Sequence, residues 1–225
     1  MALPLSNEHD YFAPQVNKSD RKIAVQYGRM FRLAGLAQQL PPGPALDVGC
    51  GAGPGLRYLL RRGATVFGAD ANGYALRQAA ALVAAQGLVQ MDATAAFPFQ
   101  PASFGLVIAS EVIEHLPGGL PFLQACRRIL RPGGLLLLTT PNLWDVRRIT
   151  APLVGRLWTG DTDPTHINLY TPARLRHELQ AIGFEAVRVR TGLKPMRWLP
   201  PHRNPIAVPY PPLIGNGMVA VGRAC

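Results

Sequence analysis

The sequence is poor in cysteine and lysine, and it shows neither the pattern of a secretory signal nor that of a membrane span. Only three of its 225 residues are cysteines (Cys50, Cys126 and Cys225), and their spacing fits neither a metal site nor a disulfide framework. The first basic residue is Lys18, so no basic segment opens a secretory signal. Prolines interrupt the uncharged stretches 93–110 and 206–222, which excludes both as membrane spans. These absences predict a cytoplasmic protein.

Acidic residues are also scarce. Between Lys22 and Trp144, nine basic residues face only five carboxylates, which are Asp47, Asp70, Asp92, Glu111 and Glu114. The net charge of +10 would suit nucleic acid, an anionic membrane surface or an acidic substrate, but no run of five or six basic residues occurs. We therefore expect an arginine-rich surface rather than a nucleic-acid tract. The few carboxylates are the informative charges, because four of them end or follow apolar runs.

Those apolar runs alternate with helical patterns. Strands are predicted at 45–48, 65–69, 88–91, 105–109, 135–139, 184–190 and 218–221, with helices at 56–62, 74–85, 120–130 and 172–181 after a mainly helical start at 1–40. This rhythm predicts an α/β fold with a parallel, doubly wound sheet. One domain over 1–225 is expected: a helical cap (1–42), a cofactor-binding half (43–142), an active-site loop (143–171) and a C-terminal substrate half (172–225). Within the last part, the proline-rich stretch 194–215 is predicted to be extended.

The first predicted strand runs into a glycine turn. Residues 46–53 read Leu-Asp-Val-Gly-Cys-Gly-Ala-Gly, and a helix follows. Glycines let the backbone pass close to a ligand. The dinucleotide fingerprint G-x-G-x-x-G would need glycine at Pro54 or Leu56, which disfavours a nicotinamide oxidoreductase. The turn therefore predicts a ligand site of another kind.

The carboxylates at the strand ends suit an adenosyl cation. Asp70 closes the second strand, where its two oxygens can accept hydrogen bonds from both ribose hydroxyls. Asp92 closes the third strand and can accept from an adenine amino group. Asp47 can face an ammonium or sulfonium. In an open α/β sheet these strand ends line the ligand crevice.

These segments, with 104–116 and 128–142, resemble the class I S-adenosylmethionine-dependent methyltransferases, in particular the ubiquinone-biosynthesis O-methyltransferase-like or methyltransferase type 11 group. The resemblance implies a seven-stranded, Rossmann-like sheet of order 3-2-1-4-5-7-6 and S-adenosyl-L-methionine as cofactor. It implies contacts to that cofactor from the turn (Asp47, Gly49, Cys50, Gly51, Gly53), the ribose position (Asp70, Ala71), the adenine position (Asp92, Ala93) and the fourth strand (Ser110, Glu111). Cys50 is interpreted as a small structural filler and not as a nucleophile.

A Glu-x-x-Glu-His pattern follows the fourth strand. If this turn is helical, Glu111, Glu114 and His115 lie at i, i+3 and i+4 and face one point, with His166 as a fourth ligand. Such a mixed oxygen and nitrogen set suits a divalent metal, Mn²⁺ or Zn²⁺ more than Mg²⁺. The pattern resembles the metal-binding set of small-RNA 3′-end 2′-O-methyltransferases and of ubiquinone-biosynthesis O-methyltransferases. Without a metal, His115 or His166 is the expected catalytic base, beside Glu111.

Three functions stay open. The leading hypothesis is methyl transfer to a small-molecule acceptor, on a hydroxyl oxygen. RNA 2′-O-methylation is an alternative that the charge of +10 favours, although no RNA-binding module is recognisable. The third is a donor-binding module without catalysis. The sequence names neither the acceptor nor the oligomeric state.

Overall fold

The computed structural model describes residues 8–155, 157–158, 161, 163–192, 215 and 217–225. These residues form one mixed sheet with helices on both faces. Its strands are β1 (Ala45–Val48), β2 (Val66–Asp70), β3 (Gly87–Gln90), β4 (Phe104–Ser110), β5 (Leu130–Pro141), β6 (Phe184–Gly192) and β7 (Gly217–Ala224). The predicted proline-rich excursion at 194–215, apart from Gly215, lies outside the described residues.

The order of the strands confirms the predicted methyltransferase topology. Within the described residues the sheet has seven strands in the order β3-β2-β1-β4-β5-β7-β6. Strands β1 to β5 pair in parallel, whereas β7 runs antiparallel to both β5 and β6. Because the chain turns from β3 back to β4 on the other side of β1, a crevice opens at the carboxyl ends of β1 and β4.

Alternating side chains divide the core into two layers. The α-helices of the described residues are α1 (Glu8–Val16), α2 (Asp20–Ala34), α3 (Pro54–Leu60), α4 (Gly73–Leu82), α5 (Gly119–Ile129), α6 (Arg147–Thr150) and α7 (Pro172–Ala181). Along β4, Val107 and Ala109 join one buried cluster with α5 and α7, while Leu106 and Ile108 join the other with α2 and α3. Successive residues of a strand point to opposite faces, so a continuous apolar strand needs helices on both sides.

Two helix starts show how well local signals predict boundaries. Thr171 caps α7 by accepting a hydrogen bond from the Arg174 amide, with Pro172 at the first helical position, as the sequence predicts. The described part of the helical start at 1–40, residues 8–40, contains two helices instead of one. Ser19 begins the second by accepting from the Lys22 amide. The first helix, α1, is therefore free to lie in a different direction, across the sheet edge.

The segment between β5 and α7 contains structure that its irregular sequence does not predict. Helix α6 and a short 3₁₀ helix, Pro152–Val154, occupy its first half. The buried carboxylate of Asp145 accepts hydrogen bonds from the Trp158 indole (2.9 Å) and the Arg147 guanidinium (3.0 Å). A buried charge is tolerated when it is paired and hydrogen-bonded in this way. Asp145 thus anchors the loop beside the crevice.

Candidate active site

The carboxyl ends of β1, β2 and β4 bring the predicted donor-site residues to one edge of the sheet. Val48 pairs with Ala69 on one side and with Ala109 on the other. Asp47, Asp70 and Ser110 therefore end three neighbouring strands. The Ser110 hydroxyl lies 3.0 Å from that of Thr139, at the end of the next strand, β5. Polar side chains thus line the crevice from β2 to β5.

The backbone conformation and the close packing of the turn require glycine at three positions. Gly49, Gly51 and Gly53 all have positive φ angles, which side chains other than glycine rarely adopt. A Cβ on Gly51 would lie 2.1 Å from the Gln15 side-chain oxygen, and one on Gly53 would lie 2.8 Å from Val83. The glycines hence make room for neighbouring protein groups as well as for a ligand. Cys50 between them is buried, and burial raises the pKa of its thiol, which fits a structural filler.

Asp70 is held by the backbone. One carboxylate oxygen accepts from the Gly51 amide and the other from the Asn72 amide, both at 2.8 Å. Burial raises the pKa of Asp70, and these hydrogen bonds with that of Ala71 partly offset the rise. Each carboxylate oxygen has a second lone pair that can accept from a hydroxyl. The neighbouring Ala71 carbonyl accepts from the Gln90 side chain at 3.0 Å.

Asp47 is the most strongly perturbed carboxylate at this edge. It is only 2% exposed. Burial, with a smaller contribution from the negative charge of Asp70, raises its pKa to about 7. A carboxylate with this environment gains from a cation placed beside it. Tyr27 of α2 adjoins it: Asp47, Cys50 and Glu111 add to the burial that raises the pKa of this phenol.

Asp92 differs from the other two acids because it is exposed. One of its oxygens accepts from the Thr94 amide at 2.8 Å and from the Thr94 hydroxyl at 2.7 Å, and these bonds lower its pKa. A depression of about 300 Å³ begins at Ala93 and is lined also by Thr94 and Phe97. Its other side is formed by α5, through Pro121, Gln124, Ala125 and Arg128.

Glu111 does not join the ligand cluster that its sequence spacing predicts. Its φ is +57°, so the turn is not helical there, and helical structure begins only at the 3₁₀ helix Ile113–His115. The Glu111 amide donates to the Thr139 carbonyl at 3.0 Å, and its carboxylate accepts from the Thr139 hydroxyl at 2.8 Å. Contact with β5 thus outweighs the i, i+3 geometry, and the expectation that Glu111, Glu114 and His115 face one point is wrong.

The other three predicted ligands do come together. One ligand atom from each of Glu114, His115 and His166 lies within 4.8 Å of the others. The two imidazole rings are 4.9 Å apart between centroids. Glu114 is fully buried, and among the described residues neither of its oxygens makes a hydrogen bond of good geometry. Burial first, and Glu111 second, raise the pKa of Glu114 well above its ordinary value.

His115 is oriented by two residues that sequence reasoning did not single out for this role. Its Nδ1 lies 2.8 Å from the Thr165 hydroxyl and 3.3 Å from the Thr165 carbonyl. The Thr165 hydroxyl donates to Asp163 at 2.6 Å. Because a carbonyl only accepts, Nδ1 carries the proton and Nε2 keeps its lone pair. Burial, and then His166, lower the pKa of His115, which favours this neutral form.

Several other contacts could not be read from spacing. Tyr11, Gln15 and Tyr27 come from the N-terminal helices and meet the donor edge only through tertiary structure. Thr139 was visible only as the end of a predicted strand. The Asp-x-Thr pattern at 163–165 is a local turn signal that could have indicated a fixed loop before His166. Trp198 and Tyr210, two aromatic residues of the proline-rich stretch, lie outside the described residues.

Comparisons with known proteins identify the family of this chain. A family model described as a methyltransferase domain matches residues 46–138. A ubiquinone biosynthesis O-methyltransferase of Dinoroseobacter shibae is 37% identical over 174 residues, which span 74% of this chain and 68% of that protein. The chain belongs to the class I S-adenosylmethionine-dependent methyltransferases. S-adenosylmethionine is the methyl donor of this family, and the protein is a methyltransferase.

Further relatives place this methyltransferase in the same group. A ubiquinone biosynthesis O-methyltransferase of Cereibacter sphaeroides is 33% identical over 162 residues, covering 68% of this chain and 65% of that one. The chain thus spans about two thirds of the length of these curated relatives. A methyltransferase of Archaeoglobus fulgidus superposes with a TM-score of 0.70 at 17% identity, covering 96% of this chain and all of that chain (100%). At that identity the likeness shows the fold alone.

Among the described residues of the methyltransferase, no helix is both long enough and apolar enough to cross a membrane.

The pKa of Asp47 generates a prediction about stability. Its carboxyl ionises near 3.8 when unfolded and at about 7 in the fold, so native stability is lost as the pH rises between these values. Each pH unit in that interval is worth about 1.4 kcal/mol. Asp47→Asn cannot ionise, and we expect it to raise the melting temperature of the donor-free protein more at pH 8 than at pH 5. Thermal unfolding at both pH values measures this difference.

The exposed carboxylate of Asp161 supplies the control for that experiment. Asp161→Asn should change the melting temperature little at either pH, because surface ion pairs contribute weakly. A lower melting temperature for Asp47→Asn at pH 8, or the same change at both pH values, would contradict the assigned burial cost.

Proposed function

We propose that this methyltransferase transfers the methyl group of S-adenosylmethionine to a hydroxyl oxygen of a small molecule. The observation that carries the proposal is the orientation of His115, whose Nδ1 faces Thr165 and whose Nε2 is left to accept a proton. A hydroxyl must lose its proton to complete the transfer, whereas a thioether has no proton on the attacking atom. The names of the curated relatives, which are O-methyltransferases, support the same class of acceptor.

The donor binds along the strand ends. Asp47 faces its cationic methionyl end, and the turn of Gly49, Cys50, Gly51 and Gly53 lies beneath it. Asp70 and Ala71 hold the ribose, Asp92 and Ala93 the adenine, and Ser110 and Glu111 lie beside the methyl group. Support comes from the shared edge of β1, β2 and β4 and from the buried, mutually repelling pair Asp47 and Asp70. A cation at this edge relieves that repulsion.

The reaction is an in-line displacement at the sulfonium carbon. The acceptor oxygen forms the new O–C bond while the S–C bond breaks, and the bonding pair stays on sulfur as a neutral thioether. His115 Nε2 takes the hydroxyl proton, and Thr165 with Asp163 holds the ring. The negative charge of Glu111 acts on Tyr27, which lies beside Asp47, and also on His115. Glu111 therefore links the donor side of the site with its acceptor side. Since the donor is already activated, the protein contributes mainly alignment and exclusion of water.

A methyl-transfer assay with a panel of acceptors tests this function. The protein is incubated with methyl-labelled S-adenosylmethionine and matched small alcohols, phenols, amines and thiols, with RNA as a separate arm. We expect label on hydroxyl compounds, and mass spectrometry should locate it on oxygen. His115→Ala should lower kcat at least about 100-fold, as for loss of a general base, while Thr165→Val should cost less because the imidazole remains.

The exposed His177 of α7 provides the control, and His177→Ala should leave kcat unchanged. Transfer of label to RNA and to no small molecule, with RNA binding that weakens steeply as the salt concentration rises, would favour the RNA alternative. Donor binding with no transfer to any arm, unaffected by changes at His115 and His166, would favour a non-catalytic binding module.

A divalent cation is the second candidate at this site. Glu114, His115 and His166 fit it, because their ligand atoms lie within 4.8 Å of one another and Glu114 is a buried carboxylate without a good hydrogen bond among the described residues. The bond from His115 Nδ1 to Thr165 would then hold a ligand ring in place. Glu111 lies outside this set, although the sequence pattern includes it. When bound, such a cation lowers the pKa of a hydroxyl that it contacts.

Metal removal distinguishes catalysis by His115 alone from catalysis with a bound divalent cation. The protein is stripped with a chelator and titrated with Mn²⁺, Zn²⁺ or Mg²⁺ alone, without donor or acceptor. If the site takes a cation, the melting temperature rises on addition, and His166→Ala and Glu114→Gln abolish the rise. If His115 acts alone, turnover resists the chelator and none of the three ions shifts the melting temperature.

A further inference from the structure

Helix α1 crosses the donor edge and contacts two donor-binding segments. At one end the Glu8 carboxylate accepts from the Asn72 side chain at 3.0 Å, two residues after Asp70. At the other end the Gln15 side-chain oxygen accepts from the Ala52 amide at 3.0 Å, inside the glycine turn. The two contacts are seven residues apart, which is two turns of helix, so one face of α1 spans the gap between β1 and β2.

Gln15 lies directly on the glycine turn. The space that a Cβ on Gly51 would need is filled by the Gln15 oxygen, only 2.1 Å away. The Ala52 amide is one of the few backbone donors of the turn, and Gln15 satisfies it from outside the sheet. The turn is thereby held in one conformation by a residue that precedes it by 37 positions.

Tyr11 occupies the middle of the same face. It is half-exposed, and burial with the charges of Asp163 and Asp70 raises the pKa of its phenol. Asp70 is the proposed ribose ligand, and Asp163 belongs to the loop that orients His115. Tyr11 is three residues after Glu8 and four before Gln15, so it lies along α1 between the two contacts with the donor-binding segments.

Ordinary core packing does not account for α1. Phe12, against Tyr74, is its buried residue, and Phe12 belongs to neither of the two core clusters. The helix also contains Pro14, which removes a backbone hydrogen bond and weakens the helix on its own. Its attachments are thus to α4 and to the donor-binding loops.

We propose that α1 forms the outer wall of the donor site, with Gln15 fixing the wall to the glycine turn and Tyr11 closing the gap between Asp70 and the acceptor loop. Gln15 and Tyr11 are then donor-positioning residues, and the wall shields the sulfonium from water. This inference rests on the proposed donor site.

Donor titration without acceptor tests the wall. Calorimetry measures the Kd of S-adenosylmethionine for the full chain and for Gln15→Ala, Gln15→Glu, Tyr11→Ala and Tyr11→Phe. We expect Gln15→Ala to weaken binding about fivefold, as for one lost hydrogen bond. Gln15→Glu keeps an oxygen for the Ala52 amide and should restore binding. Tyr11→Ala should also weaken binding, while Tyr11→Phe keeps the ring and should bind as the unaltered chain does.

The matched control is Gln26→Ala, which removes an exposed glutamine from α2 that contacts Lys18. It should not change the Kd, and circular dichroism should show that all variants are folded without donor. If Gln15→Ala and Tyr11→Ala bind as the unaltered chain does, the wall is overturned. Tighter binding by Gln15→Ala also overturns it, because Gln15 would then compete with the donor. An unaltered chain that does not bind at all contradicts the donor site itself.

Discussion

The buried carboxylate of Asp47 is the constraint on which the rest of the site depends. Water would stabilise its charge, but the fold leaves it only 2% exposed and places Asp70 nearby. In the empty site this arrangement destabilises the protein near neutral pH, because two carboxylates share a poorly solvated edge. A sulfonium or ammonium group placed there offsets that cost. Stability is thus traded for affinity toward a cationic ligand.

The topology of the sheet explains why the donor edge is built from distant parts of the sequence. Parallel strands end on the same side, so acids about twenty residues apart in sequence become neighbours. The chemistry of transfer is divided accordingly. In the proposed site the first strands hold the cofactor, and the turn after β4 meets the 163–166 loop to form the histidine cluster. Glu111 and Thr139 connect these two halves.

The location of the proposed donor residues at one edge of the sheet could be predicted from the sequence because its signals are local. The glycine turn and Asp70 follow from strand-end positions, and the strand order follows from the family resemblance. The histidine cluster was predicted in part: His115 and His166 do meet, but Glu111 lies outside because its backbone adopts a left-handed conformation bonded to β5. Residues at i, i+3 and i+4 face one point only in a helix. The left-handed conformation of Glu111 therefore separates it from Glu114 and His115.

The contacts that could not be predicted are tertiary. Gln15 reaches the turn across 37 positions of sequence, and Thr165 reaches His115 across 50. The periodicity of the sequence does not predict such pairs, because each depends on how a loop or helix packs over the folded sheet. The contact of Asp92 with Thr94 is a further case, because the strand-end position of this acid did not predict that one of its oxygens caps its own turn.

The pH dependence of donor affinity tests the central claim most directly. If Asp47 must ionise to hold the cationic donor, the Kd of S-adenosylmethionine measured by calorimetry should fall by up to about tenfold per pH unit from pH 5 to 7 and then level off. Asp47→Asn should bind weakly at every pH and lose most of this dependence. An affinity that is constant from pH 5 to 8, or an Asp47→Asn variant that binds as tightly as the unaltered chain, would contradict the account.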